Sequence, residues 1–191
     1  MKRILFIFIL LMGISQANDK DGISLGFELG LGEAKITESV DGYTSNNTVS
    51  FPLYGFRLGY VKYFGKLFGI YTYANFKDLF LSTKGDGYKK SEHIMSFAAN
   101  IDFLLDFYND KSLSMGGFAG IGIGGANIKA KSDGVSRSMS GLYTDLKLGL
   151  KTSYKYNSIS LIASFPVIPT KEGDWKSRTN YTISLAYDYK F

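Results

Sequence analysis

The sequence has no cysteine, and only three prolines, one tryptophan and one histidine among its 191 residues. Lack of cysteine rules out a disulfide framework, a thiolate metal site and a lipid anchor attached through a cysteine. One histidine with scattered acids makes a metal site an unpromising expectation. After the N-terminal stretch no run of 18 apolar residues occurs, so helical membrane spans are excluded. Strong charge is also missing. Lys2 and Arg3 removed from the 22 basic residues leave 20 against 17 acids, a net of +3, too mild to suggest a nucleic-acid partner.

The first 17 residues have the layout of a secretory signal. Lys2 and Arg3 form a positive start, Ile4 to Met12 is uninterruptedly apolar, and Ser15-Gln16-Ala17 puts small residues at the cleavage-specifying positions. Cleavage is expected between Ala17 and Asn18, and residues 18–191 then form one domain. The alternative is a retained N-terminal anchor, for which the segment is short and wrongly flanked. An exported domain without disulfides needs another means of holding together, and a closed hydrogen-bonded barrel in lipid is one.

Tyrosine, phenylalanine and glycine are abundant, at 14, 15 and 22 residues. They alternate with polar residues at period two, the mark of strands that are apolar on one face. Eight such segments can be read, at about 23–33, 51–63, 68–77, 94–107, 112–125, 141–153, 158–167 and 180–191. In the fourth, Met95, Phe97, Ala99, Ile101, Phe103, Leu105 and Phe107 oppose Ser96, Ala98, Asn100, Asp102 and Asp106. In the third, Phe68, Ile70, Thr72, Ala74 and Phe76 are assigned outward, and Tyr71, Tyr73 and Asn75 inward. Away from the segment ends, none of the eight apolar phases carries a charge.

A soluble barrel of lipocalin type would alternate as well, with its apolar face inside. Size decides between the two. The bulky apolar residues are read on one face and mostly Gly, Ser and Ala on the other. An eight-stranded lumen is only just wide enough for side chains, so the small face is expected inside and the bulky face toward lipid. Connector lengths agree. The gaps at about 34–50, 78–93, 126–140 and 168–179 are long, whereas those at 64–67, 108–111 and 154–157 are short. That is the rhythm of outer-membrane barrels, with long outer loops, tight periplasmic turns and both termini in the periplasm. Tyr60, Phe68, Phe107, Tyr187, Tyr189 and Phe191 collect near the short-turn end as an aromatic girdle. The expected fold is therefore all-β: a closed, antiparallel, up-and-down transmembrane barrel of eight strands, located in the outer membrane.

The run Tyr54-Gly55-Phe56-Arg57-Leu58-Gly59-Tyr60 resembles the barrel of Helicobacter-type outer membrane proteins. So do Asn100-Ile101-Asp102-Phe103-Leu104 with Phe107, and Gly117-Phe118-Ala119-Gly120-Ile121 followed by Gly124-Gly125. The ending at Tyr187, Tyr189 and Phe191 looks like the aromatic signal recognised by the outer-membrane barrel assembly machinery. That family includes host adhesins and suspected porins. The resemblance implies a surface role through the outer loops with a host-surface ligand, or a small pore, besides contact with outer-membrane lipids and lipopolysaccharide.

Candidate chemistry is sparse. Gly120-Ile121-Gly122-Ile123-Gly124-Gly125 matches G-x-G-x-x-G, with Asp145 at a suitable distance, but a dinucleotide site needs a helix after the glycines and these alternate within a strand. His93 lies beside Ser91 and Glu92, and some outer-membrane barrels hydrolyse lipids with Ser, His and an acid. Neighbours on one strand cannot form that relay alone. The expectation is a non-enzyme without cofactor. The inward charges Glu28, Arg57, Asp102, Asp145, Lys147, Lys151 and Asp188 are the most informative polar set. They form either a paired lumen network that plugs the barrel or a gated pore. Arg57 is expected at its centre, bound to Glu28 on the neighbouring strand with Asp102 approaching across the lumen. Trp175, flanked by Lys171, Lys176 and Arg178, is a candidate contact for a partner or a lipopolysaccharide phosphate.

Overall fold

The computed structural model describes residues 20–40, 43–85, 88–110, 112–132, 135–168, 170–172 and 175–191. Side chains are described for 20–33, 50–80, 93–110, 112–129, 138, 140–168 and 179–191. The expected signal, with Ala17 and Asn18, lies outside the described residues, as do the side chains of Ser91, Glu92, Lys171, Trp175, Lys176 and Arg178.

Nine strands follow in order: β1 (Gly22–Val40), β2 (Tyr43–Phe64), β3 (Phe68–Gly85), β4 (Tyr88–Asn109), β5 (Leu113–Ser132), β6 (Val135–Tyr154), β7 (Asn157–Pro166), β8 (Thr170–Glu172) and β9 (Trp175–Lys190). Strands β1 to β6 each pair antiparallel with the next, β7 pairs with β9, and β9 pairs with β1, which closes the sheet. The three-residue β8 continues the line of β7 and pairs with the far part of β9. The wall is therefore a ring of eight strands. Tight turns join the strands at the termini end. Gly65 takes a left-handed φ of 84° in the turn between β2 and β3, and Lys155 takes 52° in the turn after β6.

The apolar phases point out, as the alternation requires. Leu25, Phe56, Phe68, Phe97, Phe103, Ile121, Leu148, Leu161 and Leu185 are all exposed on the outer wall. Across from them the inner phase is buried. The inner face is not simply small, which corrects the expectation drawn from volume. Val61, Tyr63, Tyr71, Tyr73, Leu104, Phe118 and Ile162 pack together inside the barrel, and Phe51, Leu53 and Leu79 form a second cluster nearer the hairpins. The lumen accepts them because glycines stand opposite. A methyl group at Gly149 would fall 2.3 Å from the Phe118 ring, and one at Gly32 would fall 2.2 Å from the Phe51 ring.

A second correction concerns the long connectors. They are strands, not loops. Val40 pairs with Tyr43, Gly85 with Tyr88, Ser132 with Val135 and Glu172 with Trp175, so the ladders run on to the hairpin ends. The sequence of these stretches is mostly polar and sustains no apolar phase, so alternation does not reveal them. Two prolines border this crown. The β2–β3 ladder stops at Leu53, next to Pro52, which has no amide hydrogen to give, and past Pro166 the Val167 amide still donates to the Thr144 carbonyl at 2.8 Å. Beyond Leu53 the described parts of β2 and β3 no longer pair, whereas β8 stays beside both β9 and β6.

Candidate functional site

The register brings the inward charges together by one repeated device. Arg57 on β2 and Asp188 on β9 both lie level with Gly26 on the intervening β1. With no side chain between them, the guanidinium Nη2 reaches Asp188 Oδ2 at 2.8 Å. Lys77 on β3 and Glu28 on β1 lie level with Gly55 on β2 and pair at 3.0 Å. Asp102 on β4 and Lys147 on β6 flank Gly120 on β5 and pair at 3.2 Å. Each ion pair spans a strand whose residue at that level is glycine. A Cβ at Gly26 would lie 2.2 Å from an Asp188 oxygen, and one at Gly120 would lie 1.9 Å from an Asp102 oxygen.

Arg57 therefore binds Asp188 rather than Glu28, which corrects the expected centre of the network. The Glu28 carboxylate is taken by Lys77 and by the Ser184 hydroxyl, which donates to it at 2.6 Å. Asp102 is occupied by Lys147 and not by Arg57. The Arg57 nitrogens left without hydrogen-bond acceptors face rings instead: its guanidinium carbon is 4.7 Å from the Tyr73 centroid and 5.3 Å from that of Tyr71. Tyr71 and Tyr73 stack at 4.5 Å. Tyr71 also donates to Asp188 at 3.2 Å and accepts from Ser24 at 2.9 Å. The Lys147 ammonium donates to Asn100 at 2.6 Å and to Tyr73 at 2.8 Å besides its ion pair, which accounts for its three hydrogens. Asp145 accepts from Tyr143 at 3.0 Å. Lys151 lies 5.8 Å from the Tyr71 ring.

Below this network a cavity of about 600 Å³ opens at the termini end, with Ser24, Tyr71, Lys151 and Asp188 along its wall. Beside it sit the C-terminal aromatics. Phe191 is 71% exposed and packs edge-on against Tyr189 at 5.1 Å. Tyr187 donates to Asn157 at 2.5 Å and lies 5.6 Å from Phe27.

Sequence reasoning missed two groups. Lys77 continues the inward phase of Tyr71, Tyr73 and Asn75, so its parity could have revealed it. Asp78 lies one residue beyond the segment read as the third strand, and it falls on the outward phase. Its carboxylate accepts from the Tyr54 hydroxyl and is 3.2 Å from His93 Nδ1. The Phe80 ring meets the imidazole edge-on at 4.7 Å. His93 thus has an acid partner from the adjacent strand, not from its own.

A comparison with curated proteins finds no match. Among solved structures, the chain is similar to Neisserial surface protein A, with a TM-score of 0.56 and 11% identity over 89% of this chain and 97% of that one. It is also similar to a major outer membrane protein from Thermus thermophilus, with a TM-score of 0.50 and 12% identity over 88% and 99%. Ail, the attachment invasion locus protein of Yersinia pestis, matches at 22% identity over 89% and 99%, with a TM-score of 0.47. At these identities the first two likenesses speak to the fold. The model of the family described as Helicobacter outer membrane protein matches residues 55–191, well over half of the sequence. The chain belongs to the Helicobacter outer membrane protein family and is an outer-membrane β-barrel.

Proposed function

We propose that this barrel serves at the cell surface through its hairpin crown, in an adhesion-like or structural contact with a host-surface ligand, and that it is not an enzyme. The observation that carries the reading is the crown itself. Four hairpins extend past the apolar band at the end opposite the termini, and β1–β2 alone pairs from Gly22 to Val40. Next to Pro52 the β2–β3 ladder ends, which gives a partner a notch in the rim. The lumen supports the same reading. Three ion pairs and the stacked tyrosines lie in it, which favours a filled lumen over an open pore. Among the described residues no hydroxyl nucleophile is bonded to His93, whose polar partner is Asp78.

The test is adherence. In a deletion strain, the intact gene should restore binding of cells to host surfaces. A version with 81–92 replaced by an Asn-Gly turn should assemble but fail to restore it. Full adherence by the trimmed version would overturn the reading. Purified protein in planar bilayers should show no steady conductance, and open channels there would favour a pore. His93→Ala should leave the acyl pattern of lipid A unchanged.

A further inference from the structure

The register lets the outward face be followed row by row. Phe56, Phe76, Phe97, Gly125 and Leu142 stand side by side on β2 to β6. One row nearer the crown the same strands present Tyr54, Asp78, Met95, Asn127 and Ser140, and the next row joins Phe80, His93, Lys129 and Ser138. The wall turns from apolar to polar within one row. A strand needs about 9–11 tilted residues to cross the hydrocarbon, and Phe68 to Asp78 on β3 is such a span. These two rows therefore lie at the far boundary of the membrane.

A carboxylate on the outward phase is costly there unless it is covered. Asp78 is covered: its side chain is 8% exposed, held between Tyr54 and His93. The imidazole stands with Nδ1 3.2 Å from the acid and its side chain 40% exposed. Lys129 is the cross-strand neighbour of His93. Its side chain is exposed, and among the described residues it is assigned no ion pair. Lys129 thus places a positive charge beside the Asp78–His93 pair.

We propose that His93 and Lys129 form a clamp for the phosphate of a lipopolysaccharide-type lipid, with Asp78 and Tyr54 positioning the imidazole. The proposal rests on the reading that the crown faces outward, since that end then meets the leaflet of phosphorylated saccharide lipids. Lysine supplies the point charge and histidine a directed donor. Phe80 and Phe97 offer apolar surface to the acyl chains below.

Native mass spectrometry of the refolded full-length mature protein, with bisphosphorylated lipid A added to the micelle, tests the clamp. The wild type should retain that lipid at least tenfold better than the fully dephosphorylated form. Lys129→Ala combined with His93→Ala should remove the preference, and Lys129→Glu alone should weaken retention at least tenfold. Asp78→Asn should weaken it several-fold, with rescue by Asp78→Glu. Lys62, on β2 level with Ile70 near the β2–β3 turn, pairs with Asp21 at 2.7 Å, and Lys62→Ala should change nothing. Equal retention of the two lipids, or full retention by the double variant, would overturn the clamp. So would complete displacement by millimolar inorganic phosphate, which would mark a free-anion site. Heat-shifted gel mobility verifies that each variant is folded. Accessibility of the crown to protease on intact cells tests the orientation separately.

Discussion

Buried in the lumen at 3% exposure, the Arg57 side chain satisfies one nitrogen with Asp188 and lays the rest of its fork over two tyrosine rings. A buried pair is weak evidence for net stability, but breaking one strands the surviving charge. Arg57→Ala should therefore cost on the order of 3–5 kcal/mol, measured by denaturant unfolding in lipid vesicles. Asp188→Ala in that background should recover part of the loss. A Glu28→Ala cycle should be closer to additive, because Glu28 has its own partners in Lys77 and Ser184. The glycines yield a matched comparison. Gly120→Ala drives a methyl into Asp102 and should cost about 1–3 kcal/mol by overpacking. Gly125→Ala meets nothing closer than the Gly141 carbonyl at 3.9 Å and should stay within about 0.5 kcal/mol. If the two substitutions had equal effects, lumen crowding would not be the cause.

The strands show where sequence reasoning reaches and where it stops. Alternation located all eight wall positions and the phase of each, because one face must be apolar to meet lipid. Even Tyr71 and Tyr73 were assigned correctly inward against their hydrophobicity. It lost the strand segments beyond the membrane, whose mostly polar sequence sustains no apolar phase. It also mispaired Arg57, because Glu28 is visible as a hairpin neighbour whereas Asp188 arrives only through the β1–β9 closure, 131 residues away in sequence. Long-range register is not written in local pattern. The lipid face can be tested strand by strand. Leu148 is 57% exposed midway between Leu142 and Tyr154 on β6, so Leu148→Arg should cost about 2–4 kcal/mol. Ser140→Arg on the same strand, at the polar boundary, should cost about 0–1 kcal/mol. Neutral Leu148→Arg would mean that the faces are inverted.

At the scale of the whole molecule, β9 is the closure. Leu185 lies level with Leu29 on β1 and Leu161 on β7, and a proline there would remove an amide from the ladder at the seam. Leu185→Pro should abolish the fast-migrating unheated band on gels, whereas Leu185→Val should keep it. Persistence of the folded band in the proline variant would show that closure does not depend on this strand. The charge–glycine–charge rows have a consequence for inheritance. Because Arg57, Gly26 and Asp188 sit on three different strands yet fill one space, they should drift as a triplet across descendants. A lineage that replaces the glycine must also shorten or discard the ions that occupy its vacant volume. Lys77, Gly55 and Glu28 should form a second such triplet, and Lys147, Gly120 and Asp102 a third, so the history of this barrel should be recorded in threes.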